Sequence, residues 1–507
     1  MKVRIRSLLS VAVLVCALLA GVTAGAETFT PAPLNPELKA VFDSINVGSE
    51  DTMTQVRLIT DNDKAWYVRW KMIESAKKTI DTTYFMMTDD VFGFSFLGLL
   101  RKRALEGIKI RLMIDGRVRL WAPGTNDVLQ DLAALPNVEI KYYNDIPKQF
   151  LSLFHDLKRI LASNHDKIII IDGKYTIIGG RNIGADYFVQ PGEYKIVYHD
   201  SDILMNGSHV AGRLKLAFDE EWGFLKNSIV KPDLINIKNR NEKMDLACRA
   251  MYKYMNGRGF YSDKDEKLTE EGKKLLTELN KELGLYKNIS SYAGFELFYG
   301  DRARETKIID KHSCVGVRND ISSTLIKIID ATKHSILIQN PYVVLSPEAT
   351  NAIIRASARG VKIILHTNSA ASSDNIFPQA FFMNDWKNLL KDAPNCRLLI
   401  AKGAEDRLHS KKFVFDGQLT IVGTYNLDPL SDAVNSEVVA AVYGREFATM
   451  TAKRIEKDYS TSLEYKIEVQ RDTGEVKAVF GPEDHINADV IKKMNKLRKL
   501  QWLRPLI

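Results

Sequence analysis

"HDKIIIIDGKYTIIGGRN" (residues 165–182) and "HSKKFVFDGQLTIVGTYN" (residues 409–426) are one pattern written twice, 244 positions apart. In each copy a Lys follows the His by two residues, an Asp by seven, a Gly by fourteen and an Asn by seventeen. "KIIII" and "KFVF" are short apolar runs of the kind that form buried strands. Each is followed by Asp-Gly, a strong hairpin signal, and then by a second strand, "YTIIG" or "LTIVG". Residues two apart on a strand share a face. His165 and Lys167 therefore project together, as do His409 and Lys411. Asp172 and Asp416 fall at the turns and read as structural. Asn182 and Asn426 lie just past the second strands, where they can return to the same end of the hairpin.

The repeat extends outward from these motifs. "SAKKTIDTTYF" (75–85) parallels "ATKHSILIQNPY" (331–342), and "EGIKIRLMIDG" (106–116) parallels "RGVKIILHTNS" (359–369). Both halves run helix, strand, helix, strand, then the motif. Strands alternating with helices predict an α/β fold with mostly parallel sheets. The period is too long for a solenoid and marks two copies of one domain. We place the first at 50–235 and the second at 306–470. Residues 236–305, with Leu275, Leu276 and Leu279 at helical spacing among charges, read as a helical insertion packed on the outside. Residues 471–507 form a basic amphipathic tail.

A His, a Lys and an Asn per copy suit chemistry at phosphorus. Lys and Asn supply donors to an oxyanion, and His serves as nucleophile or as general acid and base. Displacement at phosphorus needs a nucleophile and a proton donor on opposite sides. One copy has a single His, so two copies facing across a pseudo-two-fold axis would build one site, half from each. Downstream of each motif a strand carries an acid seven residues before a Gly: Asp200 before Gly207, and Glu437 before Gly444. A carboxylate on imidazole Nδ1 fixes the tautomer and stabilises the imidazolium. Asp200 and Glu437 are the candidates, with Asp202 a second choice on the first strand.

These residues resemble the signature of the phospholipase D superfamily, His-x-Lys-x4-Asp-x6-Gly-x-x-Asn. Within it, "GGRNIGADYF" (179–188), "HTNSAASSDN" (366–375) and "NLDPLSDAVNSE" (426–437) resemble segments of bacterial cardiolipin synthases of the C type. Gly180 and Thr424 stand where the signature often has Ser, and "DGR" (115–117) departs from the synthase pattern. The resemblance implies two α/β/α sandwich domains related by a pseudo-two-fold axis, with the site at their interface. It implies metal-independent phosphatidyl transfer, or hydrolysis, through a phosphohistidine. His165 would be the nucleophile and His409 the general acid, with Lys167, Lys411, Asn182 and Asn426 around the phosphate. The local residues do not choose between the two histidines. No cofactor is implied, and the partners are membrane phospholipids at a membrane surface.

The rest of the chain narrows the alternatives. "MKVRIRS" is basic, residues 8–20 are nearly all apolar, and Ala24-Gly25-Ala26 offers a cleavage site, so residues 1–26 read as a secretory signal peptide. That predicts a periplasmic or secreted protein. The formal charge of +8 loses Lys2, Arg4 and Arg6 on cleavage and falls to +5. Such a mild excess, without a basic stripe around the motifs, argues against the nucleic-acid phosphodiesterase reading. Both histidines are present, which argues against a non-catalytic lipid-binding relative. Cys248, Cys314 and Cys396 allow one disulfide at most. No metal-binding motif is present. Two stretches suit a lipid surface: 148–161, which mixes Phe150, Leu151, Leu153 and Phe154 with basic residues, and the C-terminal tail. In the tail Ile491, Met494, Leu497 and Leu500 recur among lysines. That stripe would equally dock the helix on its own domain.

Overall fold

The computed structural model describes residues 32–45, 48, 51–145, 161–224, 226–233, 237–313, 320–403, 405–470 and 472–506. Residues 1–26, read above as a signal peptide, Cys314 and all of 148–161 except Leu161 lie outside these residues.

The first copy contributes strands β1 (Met53–Ile59), β2 (Thr79–Tyr84), β3 (Lys109–Asp115), β4 (Val138–Tyr143), β5 (Ile168–Ile171), β6 (Tyr175–Gly179), β7 (Val197–His199), β8 (Asp202–Asn206) and β9 (Ser228–Ile229). The second contributes β10 (Ala303–Lys311), β11 (Ser335–Gln339), β12 (Lys362–Asn368), β13 (Cys396–Ala401), β14 (Asp406–Leu408), β15 (Lys412–Phe415), β16 (Leu419–Gly423) and β17 (Glu437–Tyr443), followed by β18 (Ser462–Val469) and β19 (Val476–Phe480). Seventeen of them form one sheet. Its order is β9-β4-β3-β2-β5-β6-β8-β1 in the first half and β10-β17-β16-β15-β11-β12-β13-β18-β19 in the second. The antiparallel pair β1–β10 joins the halves through Met53 and Glu305.

The α/β class is as the sequence predicts, but the sheet is less parallel than expected. Only β2-β3-β4 and β11-β12-β13 run parallel. The motif hairpins insert antiparallel against β2 and β11, and every strand beyond them alternates. A further strand, β4 or β13, also enters each half between the anticipated elements and the motif.

The isoleucine run explains the layering. Ile169 and Ile171 face the main core of the first half, and Ile168 and Ile170 face a second core on the other side. That second core also holds Ile308, Val422, Val438 and Ala440 from the second half. It therefore welds the two halves together. Helices Asn62–Ser75 and Val91–Leu105 cover one face of the first half, and Ser208–Trp222 covers the other. In the charged segment, helices Ile237–Met255 and Glu270–Leu283 bury Met244, Met251, Leu276 and Leu279 against the outside of Val91–Leu105. Leu275 is only partly buried there. Cys248 and Cys396 are buried free thiols.

The tail helix Ala488–Leu497 docks on its own domain. Met494 is buried with Ala380 and Met383 of helix Ile376–Asp392, and Ile491 and Leu497 pack alongside. The apolar stripe is thus covered by protein, while Lys492, Lys493, Lys496 and Lys499 face outward and Trp502 is 69% exposed. No helix among the described residues is long and apolar enough to cross a membrane.

The motif aspartates hold the two hairpins in the same way. Asp172 and Gly173 have φ of 53° and 64°, and Asp416 and Gly417 have 49° and 61°. This left-handed pair matches the twist of flanking strands. The Asp172 carboxylate accepts from the backbone N–H groups of Lys77, Lys78 and Thr79 at 2.8, 2.7 and 2.8 Å. Asp416 accepts from Lys333, His334 and Ser335 at 3.0, 2.7 and 2.9 Å, and from Asn35 Nδ2 at 2.7 Å. Each Asp thus ties its hairpin to the start of the neighbouring strand. Asp416 is fully buried and Asp172 is not. We expect Asp416→Ala to cost about 3 kcal/mol, because buried donors lose a charged acceptor, and Asp172→Ala to cost clearly less. Urea unfolding midpoints test this, and equal shifts would refute it.

Candidate active site

The two motifs meet through short backbone pairings between the halves. Asn164, just before the first His, pairs in parallel with Ser436, just before Glu437. Leu408, just before the second His, pairs in parallel with His199, just before Asp200. The N–H of Ser436 donates to the carbonyl of Ser163 at 3.0 Å, and that of His409 to the carbonyl of His199 at 2.8 Å. Each pairing sets an imidazole beside the acid of the other copy. His165 Nδ1 lies 2.9 Å from Glu437 Oε1, and His409 Nδ1 lies 2.5 Å from Asp200 Oδ2.

Asp200 and Glu437 are therefore both Nδ1 partners, in crossed fashion. Asp202 is not: it is wholly buried between Arg69 and Arg181, each 2.9 Å away. Its carboxylate pairs with two buried guanidiniums and never reaches an imidazole.

The lysines follow their histidines around the site. Lys167 Nζ donates to the carbonyl of His165 at 2.7 Å. Lys411 Nζ bonds the carbonyl of His409 and lies 3.2 Å from its Nε2. Both lysines are buried. The asparagines sit at the end of each second strand. Asn182 Oδ1 accepts from the Met86 N–H at 3.2 Å and its Nδ2 donates to Tyr187 Oη at 3.2 Å. Asn426 has a buried Oδ1 with no partner among the described residues.

Aromatic rings frame the imidazoles. Phe85 stands edge-on to His165 at 5.5 Å and lies 5.4 Å below Lys167 Nζ. Tyr187 and Tyr198 flank His409 at 5.6 and 5.2 Å. These rings have no periodicity or spacing that marks them in the sequence. Arg117, in the divergent "DGR", bonds Ser163 Oγ and the carbonyl of Leu161, and so holds the approach to His165.

The two acids differ in their support. Glu437 accepts from Thr424 Oγ1 and from Ser431 Oγ as well as from His165. At the position equivalent to Thr424 the first copy has Gly180, where any Cβ would clash with the Asp200 carboxylate. The shorter Asp therefore requires a Gly, and the longer Glu leaves room for a hydroxyl. Both positions are departures from the usual Ser, and each is explained by the acid beside it.

Electrostatics reinforce the difference. Burial pushes the Glu437 carboxyl up to about 7, against the pull of Lys167. Burial acts on Asp200 in the same direction, but Lys411 and His409 outweigh it and hold the carboxyl at about 2. Burial, with Lys167 and Lys411, holds His165 well below the ordinary imidazole value. Burial and Lys411 also lower His409, with Asp200 opposing. Burial brings Lys167 down to about 7 and lowers Lys411 as well. Two buried lysines beside two imidazoles disfavour one another's positive charge even with Asp200 and Glu437 present, and a bound phosphate relieves that.

With this geometry in place, the comparisons decide the family. A family profile described as "Cardiolipin synthase, PLD-like domain" matches residues 70–222 and 325–459, one segment for each motif. The chain belongs to this family. The chain is similar to Cardiolipin synthase C of Escherichia coli K12, 25% identical over 425 residues that cover 80% of this chain and 85% of that one. Cardiolipin synthase 1 of Bacillus anthracis is 22% identical over 434 residues, 85% of this chain and 71% of that one. In fold, the chain resembles the crystal structure of phosphatidylserine synthase from Haemophilus influenzae Rd KW20. The TM-score is 0.60 at 11% identity, covering 93% of this chain and 100% of that one. The protein is thus an enzyme of the phospholipase D-like class.

Two outcomes follow for this phospholipase D-like site. Asp200→Asn and Glu437→Gln should each lower turnover of a soluble phosphodiester by about 10²–10⁴-fold. The wild-type rate should rise through about pH 7 as Glu437 ionises, and Glu437→Gln should flatten that limb. A wild-type pH limb retained in the Gln variant would disprove the assignment. Gly180→Ala should push Asp200 off His409 and approach the Asp200→Asn rate, while Thr424→Ser keeps activity. An active Gly180→Ala enzyme would show that the Asp200–His409 contact is dispensable.

Proposed function

We propose that this enzyme transfers a phosphatidyl group between membrane phospholipids, as a cardiolipin synthase does, through a phosphohistidine, with water as a competing acceptor. The carrying observation is the reciprocal pairing of His165 with Glu437 and of His409 with Asp200. It supplies two oriented imidazoles, each with Nδ1 engaged, beside two buried lysines.

His165 suits the nucleophile. Its surroundings disfavour the imidazolium most strongly, and its side chain is the more open, at 12% against 7%. His409, against the fully ionised Asp200, suits the general acid. In the first step His165 Nε2 forms a bond to phosphorus, the bond from phosphorus to the leaving alkoxide breaks, and His409 donates its proton to that oxygen. In the second step an alcohol attacks phosphorus, His409 takes the alcohol proton, and the P–N bond breaks to regenerate neutral His165. Lys167, Lys411, Asn182 and Asn426 supply donors to the phosphoryl oxygens. Tyr187 and Tyr198 help to exclude water, which biases the second step towards a lipid alcohol.

The signal-peptide segment supports action outside the cytoplasm. The outward lysines of the tail helix, with exposed Trp502, support approach to an anionic membrane surface.

The test incubates the purified protein with vesicles of phosphatidylglycerol and phosphatidylethanolamine, and separately with single-stranded DNA. Cardiolipin is expected, with a smaller yield of phosphatidic acid. His165→Ala should abolish both products and the trapped phosphoenzyme, while His409→Ala should slow turnover about 10²–10⁴-fold yet still trap intermediate from an activated substrate. Phosphatidic acid alone would overturn the transfer reading. DNA cleavage without lipid products would overturn the lipid reading.

A further inference from the structure

The two halves diverge sharply in two equivalent regions flanking the histidines. Strand register and the motif offset match Thr60 and Asn62 with Asp310 and His312, Ser410 and Lys412 with Asp166 and Ile168, and Lys457 and Asp458 with Glu220 and Glu221. On the first-copy side the positions are acidic and close on an imidazolium. His312 lies 3.1 Å from Asp310 and 3.4 Å from Glu221, and also contacts Glu220. The other side is basic and holds a cavity of about 200 Å³.

Three cations and three acids line that cavity, and no ion pair joins them among the described residues. Among the described residues Lys412, Arg454 and Lys457, which all line it, have no side-chain hydrogen bond or ion pair. The Lys412 residue is 3% exposed. An ammonium buried to that degree without a partner is costly. Burial brings it down to about 8, so it still carries charge at neutral pH. Two acids of the wall contact other groups, while Asp458 attracts Lys412 without touching it. Asp200 binds His409, Asp61 lies 2.8 Å from Lys64, and Asp458 accepts from Gln339 Nε2 at 2.7 Å. His199, also in the wall, is paired with Asp406 at 2.5 Å.

We propose that this cavity is a second anion site, separate from the catalytic phosphate, which binds a phosphate group through Lys412, Arg454 and Lys457. Three converging cations suit a tetrahedral oxyanion that can accept from each. The volume suits one phosphate rather than an acyl chain. The site goes beyond the function proposed above and needs no covalent step. It is nevertheless coupled to the catalytic site, because Asp200 and Ser410 form its inner wall. Ser410 Oγ lies 2.7 Å from Ser201 Oγ, and Asp200 touches His409. An anion there adds negative charge behind Asp200 and favours the imidazolium of His409.

Equilibrium dialysis of the full chain against radiolabelled inorganic phosphate tests the site. Two phosphates per chain are expected in the wild type, and one each in Lys412→Met and Lys411→Met. Arg454→Ala changes an exposed residue and keeps the test open should Lys412→Met fail to fold. It should weaken the Lys412-dependent phosphate by about tenfold, the loss of one charge-assisted contact. Wild-type stoichiometry and affinity in folded Lys412→Met, or in Arg454→Ala, would overturn the proposal. Competition then separates the sources of the phosphate. Displacement of the Lys412-dependent phosphate by sn-glycerol 3-phosphate assigns a free phosphomonoester, and displacement by phosphatidylglycerol vesicles assigns a lipid headgroup.

Discussion

The site depends on two short parallel backbone pairings, Asn164 with Ser436 and Leu408 with His199. Each aligns the residue before a histidine with the residue before an acid of the other half. A side chain in the next position then has one choice of partner, and both choices cross the interface. Neither half can orient its own imidazole. The shared core of Ile168, Ile170, Val438 and Ala440 holds the halves in the register that these pairings need. Packing energy spread over a wide apolar interface is thereby converted into fixed positions for two imidazoles, two ammonium groups and two carboxylates.

Pseudo-symmetry of the backbone coexists with asymmetry of charge. Glu437 is supported by two hydroxyls and buried deeply enough to resist ionisation, whereas Asp200 is short, needs Gly180 beside it, and is held ionised by Lys411 and His409. Duplication builds the frame, and the acids and their neighbours differ between its halves. The same divergence continues outward, where one flank closes on His312 and its equivalent opens as a basic cavity.

Lipid access has a split basis. The apolar stripe of the tail helix, which on composition alone suits a bilayer, is occupied by Ala380 and Met383. What remains outward is a row of lysines and Trp502. Such a surface can attract anionic groups without inserting a helix face.

The sequence by itself determined the duplication, the hairpins with their Asp-Gly turns, and the identity of His165, His409, Lys167, Lys411, Asp200 and Glu437 as one chemical set. These are legible because strand periodicity, turn chemistry and repeat offset are local and act within a few residues. The sequence also narrowed the Nδ1 partner to two strands, but left Asp202 beside Asp200, since both sit on one face. Only tertiary structure removed Asp202, by burying Arg69 and Arg181 against it. Only tertiary structure crossed the acids between halves, filled the space around the imidazoles with Phe85, Tyr187 and Tyr198, and left Lys412 without an ion pair. It also made most of the sheet antiparallel, because a hairpin can insert beside β2 or β11 in a direction that helix–strand alternation does not encode. The physical reason is the same in each case: a side chain's partner across a domain interface is chosen by backbone register and packing over hundreds of residues, and no local pattern carries that information.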